Sequence, residues 1–277
     1  MKFRIHLLLS YWIIFHKNYD IAVANPLFGR NVRQIRYGEF QYVASLMHRI
    51  SQYRIGWNTY HICTVALITR RHILTAAHCF DNVSPNSTQI VIGAPYLTHG
   101  RVYYPLWFIT YSIWSGRNVL HEARINDVGV SKLTALVDDS IEPVPISTLT
   151  NDELYELEVD VAGWGLFESN RGSLVMRTAK LNVMTNELCQ RKIRRLTRSR
   201  FQLHPRLLCT AARPYILLGS GDSGGPLIYS NMIVGINKAT MPTHHLILDS
   251  QKVNLHVGIH YFLEFIFETV QDSFQWS

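Results

Sequence analysis

Residues 219–226 read Gly-Ser-Gly-Asp-Ser-Gly-Gly-Pro. The run sets Ser223 behind an acidic residue and ahead of two glycines, a context that suits a serine nucleophile held beside a backbone anion hole. A serine hydroxyl is a poor nucleophile until an imidazole takes its proton, and a buried carboxylate must fix that imidazole's tautomer and stabilise its cation. The chain supplies both partners. Thr-Ala-Ala-His-Cys at 75–79 offers His78, and Asn-Asp-Val-Gly-Val-Ser-Lys-Leu at 126–133 offers Asp127.

Around these motifs the chain reads as short strands separated by turns. Tyr42–His48, Thr64–Thr69, Gln89–Ile92, Val128–Leu133, Glu158–Ala162, Ala179–Met184, Leu227–Tyr229 and Ile233–Asn237 have strand length and composition. Tyr261–Val270 reads as a helix, with Phe262, Phe265 and Ile266 recurring on one side. A length of 277 residues suffices for one large core or two medium ones, and a hydrophobic fraction of 47% argues against disorder.

With the three motifs in the order His, Asp, Ser, residues 27–266 resemble the trypsin-like (chymotrypsin-fold) serine protease family. Gly-Glu-Phe-Gln-Tyr-Val-Ala-Ser-Leu at 38–46, Val-Ala-Gly-Trp-Gly at 161–165 and Lys-Leu-Asn-Val-Met-Thr-Asn-Glu-Leu-Cys at 180–189 extend the likeness over most of the chain. The resemblance implies an all-β fold of two antiparallel six-stranded β-barrels with a C-terminal helix and an active site in the cleft between them. A peptidase domain over 25–277 would hold its first barrel at about 27–140, its second at about 150–260 and its helix at about 261–270. Ser223 would attack a peptide carbonyl, His78 would act as base and then acid, and Asp127 would orient His78. The N–H groups of Gly221 and Ser223 would receive the oxyanion, each such donor contributing roughly 3 kcal/mol to the transition state. Substrates would be proteins or peptides, protease inhibitors would compete for the same cleft, and no cofactor is required.

Several positions depart from the family pattern. The family's activating terminus, which pairs with the aspartate before the nucleophile, follows a basic residue. Here Leu27 holds the matching place, opposite Asp222, and Pro26 precedes it. The pocket-floor position, aspartate in trypsins, is Leu217 with Leu218 beside it, so an arginine or lysine side chain would be desolvated without compensation. Gly219 stands where a bridged cysteine usually closes the pocket wall. Lys238 and Thr240 replace the small residues of the substrate-aligning strand, and Thr240 would narrow the pocket entrance. These residues point to a serine endopeptidase with an apolar preference at the scissile position. The second reading is a weak or inactive homologue that binds or regulates through the same cleft.

At the N-terminus, Lys2 and Arg4 precede an apolar run from Ile5 to Phe15, followed by Ala22-Val23-Ala24. This is the pattern of a secretory signal peptide over residues 1–24, and it implies an extracellular protein with no membrane span. Four cysteines allow three pairings; the family pattern selects Cys63 with Cys79 and Cys189 with Cys209. Sequons at Asn82 and Asn86 imply glycosylation. The net charge of +7 is concentrated at Arg191, Lys192, Arg194, Arg195, Arg198 and Arg200, a cluster that would suit an anionic polysaccharide. Secretion and the lack of a nucleic-acid module argue against nucleic acid. The thirteen histidines form no metal motif; His244-His245 and His256 with His260 are the nearest approach. A monomer is expected.

Overall fold

The computed structural model describes residues 27–29, 31–49, 60–116, 125–165, 173–243, 251–271 and 273–274. The signal-peptide segment 1–24 and the pair His244-His245 lie outside them. The described residues form strands β1 (Phe28–Gly29), β2 (Arg33–Gln34), β3 (Val43–His48), β4 (His61–Thr69), β5 (His72–Thr75), β6 (Thr88–Ile92), β7 (Arg101–Tyr103) and β8 (Pro105–Thr110). They continue with β9 (Gly129–Leu133), β10 (Glu158–Gly163), β11 (Arg177–Met184), β12 (Leu207–Ala211), β13 (Ile216–Leu217), β14 (Pro226–Tyr229), β15 (Met232–Met241) and β16 (Val253–Gly258). Each segment expected to be a strand is one. The closing segment starts as a 3-10 turn at Ile259–Phe262 and becomes an α-helix at Leu263–Thr269, burying Phe265 and Ile266.

Besides a two-stranded pair of β1 with β13, the strands form two large sheets of which only one is a closed barrel, which corrects the expected pair of six-stranded barrels. In the C-terminal sheet the order is β10-β14-β15-β16-β12-β11, and β11 pairs back onto β10, with β2 appended at the edge. Its lumen is filled by alternate residues of several strands: Val159 and Val161, Ala179, Leu181 and Val183, Leu208, Leu227 and Val234. That period-two pattern is what a barrel interior requires. The N-terminal sheet runs β7-β6-β3-β4-β5-β9-β8 and stays an open half-barrel, with no pairing between β7 and β8 among the described residues. Closure would need rungs between these end strands. β7 has three residues, and Pro105, which opens β8, has no N–H to give to a rung.

Disulfides fasten two local elements to the sheets. Cys63 of β4 is bonded to Cys79 in the 3-10 turn Ala77–Phe80, and Cys189 in the helix Asn186–Thr197 is bonded to Cys209 of β12. A loop of 16 residues, as between Cys63 and Cys79, is of a size for which cross-linking adds about 3 kcal/mol in the chain-entropy account. Trp164 is buried behind β10, its indole N–H donating to the carbonyl of Pro95 at 3.1 Å. It acts as a structural plug between Gly163 and Gly165.

Candidate active site

Strand register brings His78 and Asp127 to one end of the open sheet. β5 pairs with β9 so that Thr75 faces Gly129; His78 follows the first within a single 3-10 turn and Asp127 precedes the second. The carboxylate takes both donors of His78: the ring Nδ1 lies 2.8 Å from Oδ2, and the backbone N–H reaches Oδ1 at 2.9 Å. Since an ionised carboxylate only accepts, the proton of a neutral His78 sits on Nδ1, leaving Nε2 as the basic nitrogen. The Asp127 side chain is 4% exposed, against 38% for His78. Burial alone would raise the Asp127 carboxyl, but the His78 hydrogen bond and a neighbouring lysine ammonium overcome it and hold the group down at about 2.

Ser223 lies in the loop between β13 and β14. The carbonyl oxygens of Gly221 and Ser223 both accept from the N–H of Thr64 on β4, at 2.8 and 3.1 Å, so the loop is tied to the sheet that carries His78. The N–H groups of Gly221 and Ser223 donate to no acceptor among the described residues. Gly221 has φ +91°, and a Cβ there would stand 2.8 Å from the ring of His61. Only glycine satisfies both conditions. The Ser223 hydroxyl donates to the carbonyl of Lys238 at 3.3 Å.

Asp222 points the opposite way, into the protein, and is fully buried. Its carboxylate accepts from the N–H of Gly219 at 2.8 Å, of Gly165 at 2.9 Å, and of Leu27. Burial pushes this carboxyl up to about 6 against the pull of the three donors. Leu27 is itself wholly buried, at φ +52°, and its side chain joins the core of the closed barrel with Val159, Ile216 and Leu218. The next two residues pair with Leu217 and Ile216 of β13. Leu27 and Asp222 are therefore brought together across the chain, with a backbone amide where an ammonium would stand after cleavage.

Beside Ser223 lies a cavity of about 260 Å³ lined by Leu218, Gly219, Thr240, Pro242, Lys238 and Lys252, among others, with no acidic residue in its lining among the described residues. Leu217 is buried in β13 and is not among the lining residues. Lys238 occupies a β-bulge, for β15 skips from Asn237 to Ala239 in its pairing with β16. The bulge re-aims the residue: although it borders the cavity, its ammonium reaches Asp127 Oδ2 at 2.6 Å. The sequence reading assigned Lys238 to the substrate pocket, and only the bulge discloses the ion pair.

Three further residues, His61, Asn254 and His256, support the site in ways the sequence reading did not give. The His61 ring Nε2 is 3.0 Å from the carbonyl of Gly221, and its Nδ1 is 2.7 Å from the Ser45 hydroxyl. A carbonyl only accepts, so Nε2 carries the proton and Ser45 donates to Nδ1; burial keeps this histidine down at about 4 and neutral. Asn254 of β16 ties down the end of β13. Its amide oxygen accepts from Leu218 N–H and its amide nitrogen donates to the Ile216 carbonyl, both at 2.9 Å, clamping the pocket wall. His256 bonds Thr210 at 2.8 Å and Asn237 at 2.9 Å, and the Asn237 amide donates to the Asp222 carbonyl at 3.2 Å. Both ring nitrogens of His256 are thus engaged within the protein, and burial pushes it down to about 3. Cys63 and Cys79 lie close to His78, but their sulfurs are in a disulfide and are not thiolate ligands.

On the far surface, Thr185 caps the helix Asn186–Thr197 by accepting from Leu188 N–H. Arg191, Arg194, Arg195, Arg198 and Arg200 are exposed, and no acidic side chain pairs with them among the described residues. No helix among the described residues is long and apolar enough to cross a membrane.

The trypsin family profile matches residues 30–245. Trypsin beta of Drosophila erecta is 30% identical over 201 residues, spanning 70% of this chain and 73% of that protein. Neutrophil elastase of Mus musculus is 25% identical over 181 residues, spanning 64% and 62%. A solved structure of neuropsin, a serine protease expressed in the limbic system of mouse brain, shares the fold with a TM-score of 0.69 at 19% identity, covering 87% of this chain and 99% of that one.

Proposed function

The chain belongs to the trypsin-like serine protease family, and we propose that it is a secreted endopeptidase that works through an acyl-enzyme on Ser223. The observation that carries this reading is that Lys238 joins both halves of the site, its ammonium on the Asp127 carboxylate that holds His78 and its carbonyl on the Ser223 hydroxyl, while the N–H groups of Gly221 and Ser223 have no acceptor among the described residues. The hydroxyl turns from the Lys238 carbonyl to His78 Nε2 and attacks the substrate carbonyl carbon while its proton passes to the imidazole. The two N–H groups receive the oxyanion. His78 then hands the proton to the leaving amine, and water repeats the sequence in reverse to free the acid and restore Ser223.

Specificity follows from the cavity beside Ser223. With no carboxylate in its lining among the described residues, an arginine or lysine side chain would enter uncompensated, so small or medium apolar side chains are the preferred class. Leu27 supports the anion hole from behind, because its N–H helps to hold Asp222 turned inward. A cut before Leu27 would replace that amide with an ammonium and strengthen the contact. Secretion, the glycans at Asn82 and Asn86, a monomeric state and inhibitors that compete in the cleft belong to the same reading. The exposed arginines of the helix Asn186–Thr197 form the surface for an anionic polysaccharide. Heparin retention is expected to fall when Arg194, Arg195 and Arg198 become alanine; unchanged salt elution contradicts that assignment.

The enzymatic reading is tested by incubating secreted material with casein and a positional-scanning peptide library. Cleavage that disappears in Ser223→Ala and falls after apolar residues is the expected result. A strong preference for arginine or lysine would overturn the pocket argument, and cleavage that survives Ser223→Ala would overturn the nucleophile.

A further inference from the structure

We propose that Lys238 is a built-in electrostatic brake on the His78 base, a positioning residue whose ammonium lowers the reactivity of Ser223 through Asp127. The inference rests on Ser223 being the nucleophile and adds how its reactivity is set.

Three observations converge on this one side chain. First, Lys238 is the bulged residue of β15, so its orientation is a product of the local backbone and not of a freely chosen rotamer. Second, its Nζ and the His78 Nδ1 share a single acceptor, Asp127 Oδ2, at 2.6 and 2.8 Å, while Oδ1 is already occupied by the His78 backbone N–H. The two donors divide the charge of one oxygen. Third, the side chains of Asp127 and Lys238 are 4% and 20% exposed, so the shared carboxylate and the ammonium are largely withdrawn from solvent, while the His78 ring stays partly open to it.

The charge balance decides the direction of the effect. Without a lysine, proton transfer from Ser223 to His78 takes the Asp127–His78 pair from a net charge of −1 to zero, and the carboxylate is fully available to stabilise the new cation. With the Lys238 ammonium in place the same transfer takes the cluster from zero to +1 in a semi-buried site. The imidazolium then forms beside a cation that already satisfies its counter-ion. Lys238 also holds the resting hydroxyl through its main-chain carbonyl, but that contact belongs to the backbone and survives any change of side chain. Hence the ammonium can be tested alone.

The test is the second-order rate of covalent labelling by a fluorophosphonate, measured on processed wild type, Lys238→Met, Lys238→Ser and Lys238→Arg whose thermal midpoints are recorded alongside. Removing the charge is expected to speed labelling by roughly ten- to a hundredfold in both neutral variants, and the arginine, which restores a cation, is expected to return the rate to near the wild-type value. Labelling confined to the neutral variants also supports the brake, as a complete one. Neutral variants that fold and label no faster than a reactive wild type overturn the brake and leave the nucleophile standing. Failure of all four folded proteins to label overturns both. If Lys238→Met does not fold, the smaller Lys238→Ser carries the comparison.

Discussion

Replacing Asp222 by asparagine in the unprocessed chain should change how stability depends on pH. The carboxyl is fully buried and lies at about 6, raised from an ordinary 3.8 mainly by desolvation. Because the folded value exceeds the unfolded one, this group favours the fold below about pH 4 and loses that contribution as the pH rises through about 6. A difference of about two pH units corresponds to about 3 kcal/mol. Asparagine cannot titrate. Its nitrogen would face an N–H donor, so Asp222→Asn is expected to be less stable at every pH, but with a flatter profile. Urea unfolding at pH 4 and pH 7 gives the comparison: the wild type should lose about 3 kcal/mol more than the variant over this interval. Contributions from Asp127, His61 and His256 are common to both proteins and cancel. A chain whose terminus is a free ammonium at Leu27 should show the difference shrink or reverse, since a cation lowers the carboxyl. Identical pH dependence of wild type and variant in the unprocessed chain would refute the account of Asp222 as a buried carboxylate held only by neutral donors.

His256→Ala strips Thr210 and Asn237 of a partner and opens a cavity, so urea titration should register a loss of about 2–4 kcal/mol. Because His256 is held at about 3, below its ordinary value, its neutral form supports the fold above about pH 6.5 and that support fades as the pH falls. His256→Gln should therefore move the acid-unfolding midpoint lower in a circular-dichroism titration relative to that variant's stability at pH 7. Asn254→Ala frees Ile216 and Leu218; steady-state kinetics should show KM rising roughly tenfold, about the strength of one or two net hydrogen bonds, with kcat changing less. Asn82 and Asn86 are both exposed, and treatment with a glycosidase should raise the gel mobility of secreted wild type but not of the doubly substituted Asn82→Gln, Asn86→Gln chain.

The parts of the fold that could be read from the chain are those written locally. Val43–His48 and Arg177–Met184 announce themselves by β-branched and alternating residues, and the final helix by the spacing of Phe262, Phe265 and Ile266. β16 was passed over because Val-Asn-Leu-His-Val-Gly places Asn254 and His256 in the core, where their polarity is matched by Ile216, Leu218, Thr210 and Asn237. No local pattern encodes those partners. β8 was hidden by its opening proline. Barrel closure is likewise a matter of register: β11 meets β10 through Glu158 opposite Asn182, whereas the equivalent meeting at the ends of the open sheet is lost to a three-residue strand and Pro105.

The site divides in the same way. The contact of His78 with Asp127 was legible because each sits in a short motif whose chemistry demands the other. The partnership of Leu27 with Asp222 was suspected from family likeness, and the geometry adds the amide donor and the docking of Leu27 in the barrel core. Lys238 borders the pocket, but its ion pair with Asp127 was hidden because a single bulge decides where its ammonium points. His61 gave no signal at all: a histidine opening a strand beside Cys63 reads as ordinary core until Gly221 and Ser45 are seen on either side of it.

The central claim, that Ser223 is an activated nucleophile, is tested most directly by finding the site of covalent attachment. Processed protein treated with a fluorophosphonate and digested for mass spectrometry should carry the adduct on the peptide containing Ser223, and no adduct should form on protein heat-denatured before treatment or on His78→Ala. Labelling at another serine, or labelling of Ser223 that persists without His78 or without the fold, would contradict it.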